Sequence, residues 1–230
     1  MRVLIISDIH GNIVTMEKLL KQEQYDLMIC LGDIVDYGPF PNEVVQMVRE
    51  NADFCVLGNH DFSLAFGTEC PGTTDEFREI TYNLRDFFDY ELTLENANYI
   101  RNLPYTMELN LLSVEILMVH SSPKSPLDGY VTLDQDVNII KEQMIQERHF
   151  DKILYGHTHK SGYITIENTV ILNPGSLGFP RGDRHPTYGI FEDGNFEIKT
   201  LEYNAKKLIN VYKDHKVPEK IIEMLFGSDR

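Results

Sequence analysis

This chain contains five short runs of apolar residues, and polar side chains follow each of them. The runs cover residues 2–7, 26–32, 54–58, 115–119 and 152–156. Continuous apolar runs of this length are typical of strands buried on both faces of an α/β sheet. Because ligand sites in such sheets form beyond the carboxyl ends of the strands, the residues after these runs are the first candidates for function.

The chain begins by alternating strands with helices. The pattern predicts strands at 2–7, 26–31 and 53–57 and helices near 12–23 and 41–50. This alternation is typical of βαβ units, in which the crossover helices make neighbouring strands parallel. We therefore expect a parallel sheet in this part of the chain.

Residues 62–104 interrupt that alternation. Thr73 and Glu76 are spaced as a capping box, and apolar residues at helical spacing follow from Phe77 to Phe88. A second short helix is predicted before Pro104. We interpret this pair of helices as an insertion, for which two interpretations stay open: a lid over a site, or a packed helical corner without a gating role.

The second half of the chain is predicted to be rich in short strands joined by hairpins. The predicted strands lie near 105–109, 113–119, 152–155, 162–166, 169–172, 187–192 and 195–200. The predicted helices lie near 132–149, 203–213 and 218–226. We expect an α/β fold in a single domain of residues 1–230: a four-layer αββα sandwich of two mixed β-sheets flanked by helices.

The composition is that of a globular protein with an acidic surface. Hydrophobic residues make up 42% of the chain and charged residues 25%, which is ordinary for a soluble domain. The net charge is −15, with only 21 Lys and Arg. Nucleic acid is therefore not an expected partner, because surfaces that bind it are basic, and the same charge disfavours a nuclease.

The cysteines and the apolar segments predict a cytoplasmic location. There are three cysteines, an odd number without a Cys-x-x-Cys pair, and two of them lie inside predicted strands. The N-terminus begins with a strand and lacks a signal-peptide pattern. No apolar run approaches the length of a membrane span, so we expect no membrane association, and the oligomeric state is left open.

Seven polar residues after the apolar runs are candidate metal ligands: Asp8, His10, Asp33, Asn59, His120, His157 and His159. They offer nitrogen and oxygen donors without a thiolate, a set that suits one or two divalent transition ions. If the first strand stays extended, Asp8 and His10 lie on one face of it. Two ions about 3.5–4 Å apart would need a bridging carboxylate and would suit phosphoryl displacement.

The same segments resemble the motifs of the calcineurin-like metallophosphoesterases, and they occur in the same order. The matching segments are Asp8-x-His10, Gly32-Asp33, Gly58-Asn59-His60-Asp61, His120 and Gly156-His157-x-His159. The resemblance spans residues 3 to about 190 and implies the calcineurin-like phosphoesterase fold. It also implies a hydrolase in which a hydroxide that bridges two metal ions attacks phosphorus.

The resemblance implies a role for each candidate ligand. The first metal would be held by Asp8, His10, Asp33 and His159, and the second by Asp33, Asn59, His120 and His157. Asp33 would be the bridge. Mn or Fe is the first expectation for both ions, and the donor set also suits Zn or Ni. The expected catalytic residue is His60, which would stabilise the developing charge or protonate the leaving oxygen.

Three more residues acquire roles from the comparison with serine/threonine phosphatases, whose pattern Gly-Asp-x-Val-Asp-Arg-Gly is similar to residues 32–38. Asp36 falls where that family orients the catalytic histidine. Tyr37 falls at a substrate-binding position, where it replaces a phosphate-binding arginine, and a tyrosine lacks the cationic fork. For Arg181, after the last motif, two interpretations stay open: a replacement cation that contacts the substrate, or a charge on a surface loop. This departure favours the small bacterial phosphodiesterase branch, whose substrates include dinucleoside polyphosphates.

We therefore expect a hydrolase that cleaves phosphodiester or phosphoanhydride bonds in a small phosphoester or nucleotide. One alternative is a serine/threonine phosphoprotein phosphatase, which uses the same fold and metals. The other is a non-catalytic platform for protein interactions, which the complete set of candidate ligands disfavours.

Overall fold

The computed structural model describes residues 1–182 and 185–227, so residues 183–184 and 228–230 of the predicted domain lie outside the described part. The strands within it are β1 (Arg2–Ile6), β2 (Leu27–Cys30), β3 (Phe54–Cys55), β4 (Thr106–Leu111), β5 (Val114–Val119), β6 (Lys152–Leu154), β7 (Gly162–Ile166), β8 (Thr169–Asn173), β9 (Thr187–Glu192) and β10 (Asn195–Thr200).

The helices are α1 (Ile13–Gln22), α2 (Pro41–Asn51), α3 (Asn59–Phe66), α4 (Asp75–Phe87), α5 (Leu94–Arg101), α6 (Val137–Met144), α7 (Lys206–Asp214) and α8 (Glu219–Phe226). Among the described residues, no helix is both long enough and apolar enough to span a membrane.

The strands form two mixed five-stranded sheets. Sheet A has the order β10-β9-β1-β2-β3, and sheet B has the order β4-β5-β6-β8-β7. Strands β1, β2 and β3 run parallel, as do β5, β6 and β8, whereas the remaining neighbours pair antiparallel. The α/β fold with two mixed sheets flanked by helices is therefore confirmed.

The alternation of side chains along β1 creates the layers. Val3 and Ile5 belong to an apolar cluster that also contains residues of β5, β6 and β8, so they pack between the sheets. Leu4 and Ile6 point to the other face, into a cluster with residues of α1 and α2. Because both faces of this strand are buried, its sequence is a continuous apolar run rather than an alternating one.

Two predicted helix starts differ from the structure. The helix predicted near 132–149 is α6, which begins only after Asp136, whose side chain accepts a hydrogen bond from the backbone N–H of Asn138. Helix α4 is capped by Thr74, not by Thr73. Closely spaced residues that can each serve as a cap explain both differences, because the sequence pattern does not choose between them.

The segment 62–104 contains the end of α3 together with α4 and α5. Ile80 and Leu84 of α4 pack in one apolar cluster with Tyr37 and residues of α7 and α8. Helix α4 therefore lies against the polypeptide that follows β2. The interpretation of this segment as a lid stays a prediction.

Candidate metal centre

The polar residues after the strands leave the extended conformation at once. Strand β1 ends at Ile6, and the φ angles of Asp8, His10, Asp33 and His159 are 53°, 50°, 53° and 60°. Left-handed backbone costs a non-glycine residue roughly 1–2 kcal/mol and is tolerated best by Asn, Asp and His. The expectation that Asp8 and His10 share the face of an extended strand is therefore wrong: left-handed turns aim these side chains. Such strain is typical of functional sites.

Two glycines let these turns approach each other. A Cβ atom on Gly58 would lie 2.2 Å from both the backbone nitrogen and Oδ1 of Asp33. A Cβ atom on Gly156 would lie 1.9 Å from Oγ of Ser7 and 2.7 Å from Oδ2 of Asp8. Any larger residue at either position would therefore clash with the neighbouring turn, whatever its φ angle, and only glycine leaves the turns this close together.

The turns bring three predicted ligands into one buried group, formed by Asp8, His10 and His159. Nε2 of His159 lies 3.4 Å from Oδ1 of Asp8 and 3.0 Å from Nε2 of His10. All three side chains are almost completely buried. Donor atoms this close together could hold a metal ion.

A second buried group joins Asp33, His120 and His157, with Asn59 beside them. Oδ1 of Asn59 lies 2.9 Å from Nε2 of His120 and 3.0 Å from Nδ1 of His157. Oδ2 of Asp33 lies 3.2 Å from Nε2 of His120 and 3.7 Å from Nε2 of His10. One carboxylate oxygen therefore lies between the two groups.

Backbone carbonyls fix which ring nitrogen of three histidines carries the proton. The Nδ1 atoms donate hydrogen bonds from His10 to Val35 (2.9 Å), from His120 to Leu31 (2.7 Å) and from His159 to Phe179 (2.6 Å). In a neutral imidazole, a proton on Nδ1 leaves the lone pair on Nε2. These hydrogen bonds therefore direct the Nε2 lone pairs of neutral His10 and His159 into the cluster, as in many metal sites, and would do the same for His120 once a metal displaces its Nε2 proton.

The geometry of these lone pairs fits a cation. Burial lowers the pKa of His10 to about 3 and, together with the charge of Arg181, holds the pKa of His159 well below its usual value. Both rings are therefore neutral near pH 7, with their Nε2 lone pairs 3.0 Å apart. Nε2 of His157 is buried without a hydrogen-bond partner in the described part of the chain. The donor set thus fits bound metal.

Bound protons partly offset the buried negative charge of the metal-free centre. Burial raises the pKa of Asp8 to about 7. Burial alone would lower the pKa of His120, but the carboxylate of Asp33 outweighs it and raises that pKa to about 9. Near neutral pH, protons on these two side chains therefore offset the negative charge that a divalent cation would otherwise balance.

His60 forms a third group of close donor atoms with His10 and Asp33, and it also belongs to a buried hydrogen-bonded chain. Its Nδ1 lies 2.9 Å from Oδ2 of Asp36, the partner predicted for it. Arg85 of α4, which sequence analysis missed, donates from Nε and from a terminal nitrogen to the two carboxylate oxygens of Asp36, at 2.7 and 2.6 Å. The roles of His60 and Asp36 stay predictions.

A cavity of about 420 Å³ opens onto this centre. Its lining residues are Asp33, Tyr37, Asn59, His60, Gly72, Thr73, Thr74, Phe77, Tyr130, His157, His159 and Arg181. The Tyr37 ring packs against the rings of His10 and His60, and burial raises the pKa of Tyr37. The guanidinium carbon of Arg181 lies 4.1 Å from the centroid of the Phe77 ring. Both predicted substrate contacts thus line the cavity.

Two other supports of the centre were not predicted. The buried carboxylate of Asp61 accepts hydrogen bonds from the backbone N–H groups of Ile34, Val35 and Gly58, so it ties two of the turns together. The amide of Asn59 donates to Sγ of Cys70, to the carbonyl of Pro71 and to Oγ1 of Thr73. Asp61 is the last residue of the Gly58-Asn59-His60-Asp61 motif, so the sequence offered a signal for it. Residues 70–73 offered no signal that they support the centre.

The model of the calcineurin-like phosphoesterase superfamily domain matches residues 1–195. The chain belongs to this superfamily. It is accordingly a metallophosphoesterase, a hydrolase of phosphoester bonds, and its buried Asp/His groups are candidate metal sites.

Similar proteins agree with this assignment. The chain is 29% identical over 246 residues to an uncharacterized protein of Methanocaldococcus jannaschii, with 97% of each chain covered. It is 25% identical over 190 residues to a probable metallophosphoesterase of Mycoplasma pneumoniae, with 81% and 86% covered. A metallophosphoesterase structure from Sphaerobacter thermophilus superposes with a TM-score of 0.79 at 28% identity, covering 98% of both chains.

Proposed function

We propose that this metallophosphoesterase is a dinuclear hydrolase of phosphodiester or phosphoanhydride bonds in small molecules, with dinucleoside polyphosphates among its substrates. The observation that carries the proposal is the position of Asp33. Its Oδ2 lies within 3.7 Å of Nε2 of both His10 and His120, each in a different donor group. A carboxylate oxygen between two groups of nitrogen and oxygen donors is what a pair of ions requires.

The two groups define which residues would hold each ion. Asp8, His10, Asp33 and His159 would hold the first, and Asp33, Asn59, His120 and His157 the second. When bound, the ions supply Lewis-acid stabilisation of the phosphoryl oxygens and activate water for attack. Mn or Fe is proposed first, and the nitrogen and oxygen donors also suit Zn and Ni.

A side chain of the protein would protonate the leaving oxygen. Burial alone would lower the pKa of His60, but nearby side chains, Cys70 foremost, and the Asp36 hydrogen bond raise it well above the usual value. His60 therefore holds a proton near neutral pH, as a general acid must. With Nδ1 bonded to Asp36, Nε2 remains to donate to a substrate in the cavity.

The cavity supports a small substrate. Its volume of about 420 Å³ lies near the lower end of the range for small-molecule sites. Tyr37 stays a neutral phenol because burial raises its pKa, so it can hydrogen-bond to a phosphate but cannot pair with its charge. Arg181 is proposed as the cationic contact. We also propose a cytoplasmic location, because a reducing compartment suits the free buried thiols of Cys30, Cys55 and Cys70.

The test compares three substrates with manganese-reconstituted protein: a phosphodiester reporter, a diadenosine polyphosphate and a phosphoserine peptide. We expect turnover of the first two substrates. Asp33→Asn should lose both this turnover and the bound metal. Asp214→Asn, on the exposed side of α7, is the matched control and should retain both. Preference for the peptide would favour the phosphoprotein phosphatase alternative. Metal-loaded protein that hydrolyses none of them would contradict the proposal and favour an interaction platform.

A further inference from the structure

Helix α4 carries an arginine that reaches the proton donor of the centre through one carboxylate. Two nitrogens of the Arg85 guanidinium donate to the two oxygens of Asp36. Oδ2 of Asp36 is also the partner of His60 Nδ1. The side chains of Asp36 and His60 are 0% and 5% exposed, and that of Arg85 is 16% exposed, so water competes little for these bonds.

We propose that Arg85 is a positioning residue for His60: it locks Asp36 in the one orientation that keeps the Nδ1 proton of His60 in place and Nε2 free for the leaving oxygen. The proposal rests on the proposed function, in which His60 is the general acid. It adds a residue of helix α4 to the supports of the centre.

The fork geometry is the first argument. A planar guanidinium that binds both oxygens of a carboxylate fixes its rotation, which a single hydrogen bond or a point charge does not. Asp36 itself lies on a left-handed turn with φ of 70°. Its carboxylate is held against His60 by the two hydrogen bonds from Arg85.

A second contact fixes the arginine in turn. The same terminal nitrogen of Arg85 donates to Oγ of Ser63, at 3.1 Å. Ser63 belongs to α3, the helix in which His60 also lies. The guanidinium thus joins α4 to both sides of the Asp36–His60 pair, which sets the distance between them.

The same face of α4 also reaches the substrate cavity. Phe77, Thr81 and Arg85 are spaced four residues apart, so they lie along one face of the helix. Phe77 lines the cavity and packs on Arg181, whereas Arg85 binds Asp36. Helix α4 therefore carries both a residue of the cavity wall and the arginine that orients the proton donor.

The test uses the dependence of rate on the leaving group. A nitrophenolate departs without a proton, whereas an alkoxide needs one, so loss of general acid catalysis slows only the alkyl ester strongly. In Arg85→Met, we expect kcat for the alkyl diester to fall by about 10²-fold more than kcat for the nitrophenyl diester. KM and metal content should stay unchanged. Arg85→Lys, which keeps charge but loses the fork, should be intermediate.

Arg101→Met is the matched control, because Arg101 ties α5 to the Ala65 carbonyl of α3 without touching Asp36. It should slow both esters equally or not at all. A second readout needs no turnover: ¹⁵N spectra of zinc-loaded protein should show His60 protonated at both ring nitrogens, with an Nδ1 proton that exchanges with water faster in Arg85→Met than in the wild type. Equal slowing of both esters, or unchanged imidazole spectra, would overturn the proposal. If the wild type hydrolyses neither ester, the proposed function fails, and the spectra alone still decide the role of Arg85.

Discussion

Individual residues build this centre at a conformational cost that the surrounding contacts must offset. Five of the seven candidate ligands have positive φ angles: Asp8, His10, Asp33, His157 and His159. Each would relax towards extended backbone if its neighbours allowed it. The glycines that let the turns touch are therefore as necessary to the geometry as the donors.

Gly58→Ala tests this dependence. A Cβ atom at this position would lie 2.2 Å from two atoms of Asp33, so the proposed bridging carboxylate must move. We expect loss of most bound metal and of activity, measured by elemental analysis and with a phosphodiester reporter. The backbone φ of Gly58 is −89°, which alanine adopts freely, so any defect arises from the contact.

Gly67→Ala is the control for this substitution. Gly67 ends α3 with φ of 66°, and the space that its Cβ atom would enter is open, so alanine there meets only backbone strain. We expect it to lower the free energy of unfolding by about 1 kcal/mol while metal content stays unchanged. Full metal occupancy in Gly58→Ala would contradict the argument from contact.

At the level of elements, the sequence predicted the strands that lead into the centre well, because burial on both faces makes them continuous apolar runs. It also pointed to the seven candidate ligands that follow these runs, and the structure brings them together in neighbouring buried groups; their role as ligands stays a prediction. It missed Arg85 because a charged residue between apolar positions of a helix is normally solvated, and its partner Asp36 is 49 residues away. The supports at Cys70 and Thr73 were missed because the sequence pattern does not show the hydrogen bonds of Asn59 to this loop and indicated only a helix-capping role for Thr73.

The neighbouring residues Thr73 and Thr74 separate support of the centre from support of helix α4. Oγ1 of Thr73 accepts a hydrogen bond from the amide of Asn59, whereas the Thr74 side chain caps α4. Thr73→Val should weaken binding at the second metal position by about tenfold, because outer supports orient ligands. Thr74→Val should instead lower the free energy of unfolding by about 1 kcal/mol.

Each of these variants is the control for the other. Metal affinity is measured by calorimetric titration, and stability by urea denaturation of metal-free protein. Thr73→Val should leave the stability of the metal-free chain within about 0.5 kcal/mol of the wild type, as for substitutions away from critical contacts. If both variants change both quantities equally, the loop and the helix act as one unit and the separation is wrong.

At the scale of the whole molecule, the negative charge makes bound cations a source of stability. The chain carries a net charge of −15, and Asp8 and Asp33 are buried at its centre. An ion that binds the folded state alone adds about 2.7 kcal/mol at a free concentration 100-fold above its dissociation constant. Chelation should then lower Tm by roughly 5–10 °C for each site that empties, as measured by differential scanning calorimetry.

The same stabilisation should fade as pH falls, because protons compete with the metal. Asp8, with a pKa of about 7, and His120, with a pKa of about 9, bind protons in the metal-free protein that an ion must displace. Between pH 7 and pH 9, metal binding releases about one proton, so metal affinity should fall about tenfold for each unit by which the pH falls. Below about pH 7 the affinity should fall more steeply, because both side chains must lose a proton. The Tm difference between metal-loaded and chelated protein should therefore narrow from about pH 8 to about pH 6. His149→Gln, at an exposed histidine, should keep this slope. A difference that stays constant over this range would mean that the ligands bind metal without releasing protons, and that buried charge is balanced in another way.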